Sequence, residues 1–209
     1  MGKYSTSTIQ LFFTSMRRMT FLIPALIIVA FVVLIFLIKN RAKKNSVAVL
    51  LSALPNEEYN ILSDIMIKSY TGFSHIDHIV ISTHGIFVIN TLAYHGDIVG
   101  KDTDQYWTCS TGSEKHRFFN PIRQNHGHIK ALETILDPVG KVPLISMVAF
   151  PRDCELMSKP LGVLHYDELL TKIQSYAKNA LTRTQTEVIA ATLERANIED
   201  AEVRKQYAG

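Results

Sequence analysis

The longest apolar run in the chain, Met19 to Ile38, carries no charge and only Thr20 as a polar break. At about 1.5 Å rise per residue, roughly 20 apolar residues cross a hydrocarbon core of about 30 Å. Residues 19–38 are therefore expected to form one transmembrane helix. A cleaved signal peptide is the rival reading, but its apolar region would be shorter and a small-residue cleavage site would follow. Here "KNRAKK" follows instead. Pro24 lies near the start of the run, where a bilayer helix tolerates it.

Beyond the anchor the pattern changes to short alternating and periodic segments. "SVAVLLSALP" (46–55) predicts a short amphipathic helix stopped by Pro55, and "EYNILSDIMI" a strand. In "SHIDHIVISTHGIFVIN" two apolar runs flank Thr83-His84-Gly85, which reads as a hairpin with glycine supplying the turn. "GDIVG", "QYWTCS" and "HRFFN" predict further short strands. Asn120 followed by Pro121 marks a helix start, and Asp137-Pro138 its end. "VPLISMVAF" is a continuous apolar run, the pattern of a strand buried on both faces. Asp167 opens a helix to about Lys178, and two short helices finish the chain. The second-last carries Val188, Ile189, Thr192, Leu193 and Ala196 on one face and is expected to pack on the domain. This order predicts an α/β domain with a mixed central sheet flanked by helices, preceded by one transmembrane helix. The divisions are a tail (1–18), the span (19–38), a basic linker (39–45), the main domain (46–152) and a helical extension (153–209).

Charge refines the picture. Seven of the 22 Lys and Arg fall in residues 1–44 with none of the 19 Asp and Glu, leaving 15 basic against 19 acidic residues, or −4, beyond them. The basic balance thus belongs to the flanks of the span, where it suits anionic lipid. The denser cluster (Lys39, Arg41, Lys43, Lys44) follows the span and places the main domain in the cytoplasm. Cys109 and Cys154 form no C-x-x-C pair and match neither a disulfide framework nor a zinc module, though a single disulfide stays open.

"GFSHIDHIVISTHGIFVIN", "YHGDIVG", "YW", "NPIRQNHGHIKAL" and "VAF" together resemble the NERD (nuclease-related) domain, from about residue 46 to 152. The resemblance implies a restriction-endonuclease-like, PD-(D/E)XK fold and, in active relatives, Mg²⁺-dependent phosphodiester cleavage. It implies an Asp on the hairpin's first strand, a Glu on the second, a Lys two residues on, and often a Glu on the preceding helix. Asp77 occupies the aspartate's place and is the one candidate metal ligand; Asn90 stands at the Glu position and Leu92 at the Lys position. Lys43 and Lys44 stand where members usually show Gly-Glu. Asn90 offers a neutral oxygen where Mg²⁺ prefers carboxylate. Leu92 moves no proton, and general acid–base help is worth about 10² to 10⁴ in rate. A catalytically degenerate nuclease without cofactor is therefore expected, with Mg²⁺ the metal if any activity remains.

Asn120, Pro121, Gln124 and His128 match the family's "NP…Q…H" helix. Gln124 and His128 share one helix face, which the resemblance sets beside the active cleft. The plainer reading makes them hydrogen-bonding partners of the sheet edge. Lys115, Arg117, Arg123 and Lys130, with Tyr106, Trp107, Phe118 and Phe119 nearby, form a basic and aromatic stretch of the kind that binds single strands. Aromatics at strand spacing also build core. His75, Asp77 and His78 do not chelate one ion, because strict alternation sends His78 to the opposite face. The partners expected are membrane lipid through the anchor, and nucleic acid or a protein. An active nuclease with an unusual ligand set and a purely structural scaffold are the competing functions.

Overall fold

The computed structural model describes residues 47–70 and 72–207. The expected span at 19–38, its flanks and Lys43 and Lys44 lie outside them. Among the described residues no helix is long and apolar enough to cross a membrane. Residues 44–209 form one compact unit.

Helix α1 (47–51) buries Val47 and Leu51 and ends before Pro55. Strands β1 (Tyr59–Ser69), β2 (Gly72–Ser82) and β3 (Gly85–Thr91) follow as an antiparallel meander. The β2–β3 turn needs Gly85, which sits at φ +147° with Ile145 and Pro143 crowding the place of a side chain. Helix α2 (Pro121–Leu136) then carries the chain to β7 (Leu144–Phe150), which runs parallel to β3. β9 (Val163–His165) pairs in parallel with β7, giving a five-stranded mixed sheet of order β1-β2-β3-β7-β9.

A second sheet, which the sequence pattern does not separate from the first, holds the short strands. β4 (Gly96–Val99), β5 (Tyr106–Thr111), β6 (Glu114–Phe119) and β8 (Cys154–Leu156) form it in the order β6-β5-β4-β8. Its strands alternate, with Ile98, Trp107, Cys109 and Phe118 buried on one face. The three-residue strands β8 and β9 are too short to carry an alternation, so nothing in their sequence announces them. Helices α3 (Leu169–Gln174), α4 (Arg183–Ala196) and α5 (Ala201–Tyr207) complete the chain. α3 is shorter than expected at both ends, because Tyr166–Glu168 winds as a 3-10 turn and the helix closes at its Ser175 C-cap. α4 buries Ile189, Ala190 and Leu193 and leaves Val188 exposed, so the apolar stripe lies about a residue from where periodicity puts it.

Three apolar clusters follow from this layering. One joins β1, β2 and β3 to α2 and α4. The second joins the other face of the sheet to α1 and α3. The third fills the space between the sheets, where Val148 and Phe150 meet Trp107 and Phe118. Met147 and Ala149 enter the second cluster while Val148 and Phe150 enter the third, so β7 is buried on both faces, as its unbroken apolar run predicts. Cys109 and Cys154 are free thiols within the third cluster, and burial pushes the pKa of Cys154 up to about 11.

Strict alternation fails in the middle of β1 and β2. Leu62, Ile65 and Ile67 share a cluster, as do Ile76, Ile79 and Ile81, although the register is the same at Ser63↔His78 and at Ile65↔Ile76. The reversal centres on Asp64, held at φ +59°, and on the facing stretch around Asp77. Asp is among the residues that tolerate this left-handed conformation. The chain's end closes over the same place. Ile198 N–H donates to the Met66 carbonyl, Met66 N–H donates to Asn197 Oδ1, and Arg204 Nη1 donates to the Asp64 carboxylate at 2.7 Å.

Asn120 anchors the start of α2. Its Oδ1 accepts from the Ile122 and Arg123 N–H groups, and its Nδ2 donates to the carbonyls of Lys101, Asp102 and Asp104. The expected N-cap is present, with a second duty in holding the loop before β5. Residues 44–209 expressed alone should unfold in one cooperative transition. In that fragment Asn120→Ala should lower stability by about 2 kcal/mol, from the lost cap and the released loop carbonyls. Denaturant titration measures both, and a wild-type-like midpoint for the variant would contradict the assignment.

Candidate functional site

The hairpin brings Asp77 and Asn90 to neighbouring strands, since β2 and β3 pair His78 with Ile89. Asp77 Oδ2 accepts from the Thr91 backbone N–H at 2.7 Å and from the Thr91 hydroxyl at 2.8 Å. Asn90 is buried and donates through Nδ2 to Gln124 Oε1 at 3.3 Å. Leu92, past the end of β3, packs against the third apolar cluster. Its backbone carbonyl accepts from the Tyr166 hydroxyl at 2.7 Å.

Helix α2 supplies the other wall. His128 is buried and shares a 2.6 Å hydrogen bond between Nδ1 and Ser74 Oγ. Burial lowers its pKa to about 4, the Asp77 carboxylate resists that shift, and His75 adds to it. The imidazole is therefore neutral at physiological pH. Between Gln124 and His128, Asn125 is fully buried. Its Nδ2 reaches the Val88 carbonyl (2.8 Å), the Ser146 hydroxyl (2.8 Å) and the Met147 carbonyl (3.1 Å). Its Oδ1 is buried with no partner. Tyr166 stands on the far side; burial and then the charge of Asp77 raise its phenol well above the usual range.

The structure thus gathers Asp77, Asn90, Gln124 and His128, and it adds Ser74, Thr91, Asn125 and Tyr166, which sequence reasoning misses. Asn125 adjoins Gln124 within the family-like helix string, and that neighbourhood is the one signal that could have found it. Thr91 and Tyr166 act through the end of β3 and carry no local signal. Gln124 and His128 bond the side chains of Asn90 and Ser74 rather than sheet-edge backbone groups. His75 pairs with Asp64 and His78 with Ser63, each through its ring. Among the described residues no three His, Cys, Asp or Glu side chains converge to hold a metal.

Lys115 and Arg117 are elsewhere. Both are exposed on β6, and they alternate with Phe118, which faces the third cluster. Arg123 is exposed on the first turn of α2 and donates to the Thr103 carbonyl. Trp107 and Phe118 are core, as aromatics at strand spacing often are, whereas Tyr106 and Phe119 are exposed.

Residues 39–151 match the nuclease-related domain family, NERD. The chain belongs to it. It is also similar to an uncharacterised protein of Bacillus anthracis, 36% identical over 175 residues that cover 81% of this chain and 82% of the relative. No solved structure matches. In this NERD domain the helix string around Gln124 and the hairpin carrying Asp77 and Asn90 meet at one place, between the sheet and α2.

The His128 shift sets a pH dependence. The unfolded imidazole takes up a proton near its ordinary value of about 6.5 and the folded one only near 4. Stability contributed by neutral burial is complete above about pH 6.5 and is lost as pH falls towards 4. Between pH 7 and pH 5 the domain should lose about 2 kcal/mol more than a His128→Gln variant. Denaturation at the two pH values tests this, and equal losses would show that His128 does not set the dependence.

Proposed function

We propose that this NERD protein is a membrane-anchored, catalytically degenerate relative of nucleases that binds nucleic acid rather than cutting it. The observation that carries the reading is the state of the three strand positions together. Asp77 is engaged by Thr91, Asn90 by Gln124, and Leu92 is built into apolar packing. Mg²⁺ sheds water reluctantly and requires near-octahedral oxygen ligands, with carboxylates and substrate phosphate preferred. One carboxylate beside a neutral amide does not fit that demand.

Gln124 and the neutral His128 keep polar groups beside Asp77, which supports retained contact with a polar ligand. The alternative, an active Mg²⁺-dependent nuclease with an unusual ligand set, would need donors beyond this group. The anchor reading rests on the apolar run at 19–38 and on the basic residues after it.

The domain should show no Mg²⁺- or Mn²⁺-dependent cleavage of DNA or RNA above background. Asn90→Glu with Leu92→Lys should raise metal affinity, measured by titration calorimetry, since it restores two missing groups at alternate positions of one strand and its end. Robust cleavage by the native chain that Asp77→Ala abolishes would overturn the degenerate reading. For topology, a reporter that works only in the cytoplasm should be active when fused after Gly209; activity solely of an extracytoplasmic reporter would reverse the orientation.

A further inference from the structure

The second sheet has one face buried in the third cluster and one face open. On the open face, Val99, Tyr106, Lys115, Arg117 and Phe119 are exposed. Register sets Tyr106 opposite Phe119 and Thr108 opposite Arg117 on the neighbouring strand. The Tyr106 and Phe119 rings lie 6.0 Å apart at 85°, and the Arg117 guanidinium lies 4.9 Å above the Tyr106 ring. Acidic residues on this face, Asp97 and Glu155, sit together on β4 and β8, away from β6. The face is therefore polarised, with cations and flat rings along one edge.

We infer that this edge binds single-stranded nucleic acid, with unpaired bases stacking on Phe119 and on the Tyr106–Arg117 pair. The inference rests on the nucleic-acid-binding reading above, but it moves the contact surface from the Asp77 cleft to the open sheet. Three properties of the edge select a single strand. Exposed aromatic faces offer stacking that bases inside a duplex cannot use, and such stacking is indifferent to sequence. A guanidinium placed over a phenol ring extends the platform and still presents N–H groups to phosphate. Lys115 and Arg117 are two residues apart on one strand, about 7 Å. They form a single track of positive charge beside the rings, which serves one phosphate backbone and offers nothing to a second.

The test uses the full chain in neutral detergent, with fluorescence anisotropy of labelled oligo-dT, oligo-U and a duplex of matched length. Both single strands should bind in preference to the duplex, and equal or tighter binding of the duplex would overturn the inference. Two phosphates neutralised predict a slope of about −1.4 in log K against log salt. Tyr106→Ala with Phe119→Ala should weaken binding by about tenfold or more and leave that slope intact. Lys115→Gln with Arg117→Gln should flatten the slope. Arg117→Lys, which keeps the charge but loses the planar guanidinium over the ring, should weaken affinity with the slope retained. Binding that resists the aromatic variant but falls with Gln124→Ala would overturn this inference and leave the nucleic-acid reading on the Asp77 cleft. Absence of binding to any of the three probes at low salt would overturn both.

Discussion

A single buried amide fixes helix α2 over the seam between β3 and β7. Asn125 reaches acceptors on both strands, the Val88 carbonyl on one and the Ser146 hydroxyl and Met147 carbonyl on the other. A helix held only by apolar packing can slide or roll by small amounts at little cost. One held by a buried donor cannot, because any shift strands polar groups away from water. Gln124 and His128 lie close to Asn125 on the same helix, so their reach to Asn90 and Ser74 follows from that attachment. Asn120 performs the matching service at the helix start, where it binds the loop that leads into the second sheet. The two asparagines are five residues apart, about 7.5 Å along the axis. Fixing two such points sets both the height and the roll of α2.

The hairpin, the long helix and the doubly buried strand are legible in the sequence because each carries a strong local pattern. Ile79, Val80 and Ile81 against Ile86, Phe87 and Val88 leave little choice but a hairpin around Gly85. Asn120-Pro121 can hardly be anything but a helix start. What escapes is non-local. Whether the short alternating strands join the first sheet or form their own depends on the third cluster, to which residues far apart in sequence, such as Ile98 and Phe150, contribute. The face reversal at Asp64 and Asp77 is invisible to period counting, because one left-handed residue resets the alternation. The candidate site is half legible for the same reason. Strand spacing pairs Asp77 with Asn90, while the roles of Thr91 and Tyr166 depend on how the chain ends β3 and returns near it.

Leu92 shows how a change of chemistry becomes a change of packing. A lysine at this position would set an ammonium beside the apolar side chains that join the sheets. Leucine instead extends the cluster formed by Trp107, Phe118 and Phe150, and so strengthens the joint between the two sheets. The second sheet is then held firmly by its inner face, which leaves its outer face free to carry exposed aromatics at little risk to the fold. Stability and a new use of the surface are compatible because they lie on opposite sides of the same strands.

The closure of the chain's end over β1 has a consequence for solubility. β1 is the outermost strand of the first sheet, and an outermost strand presents backbone donors and acceptors that a second molecule can zip onto. Ile198 and Asn197 occupy the Met66 backbone groups, and Arg204 fastens the segment by gripping Asp64. The segment from Asn197 to Arg204 thereby acts as a selvedge at this point of the edge, a finished border that hinders a neighbour from being sewn on at Met66. Where copies meet often at high local concentration, such a border keeps crowding from turning into aggregation.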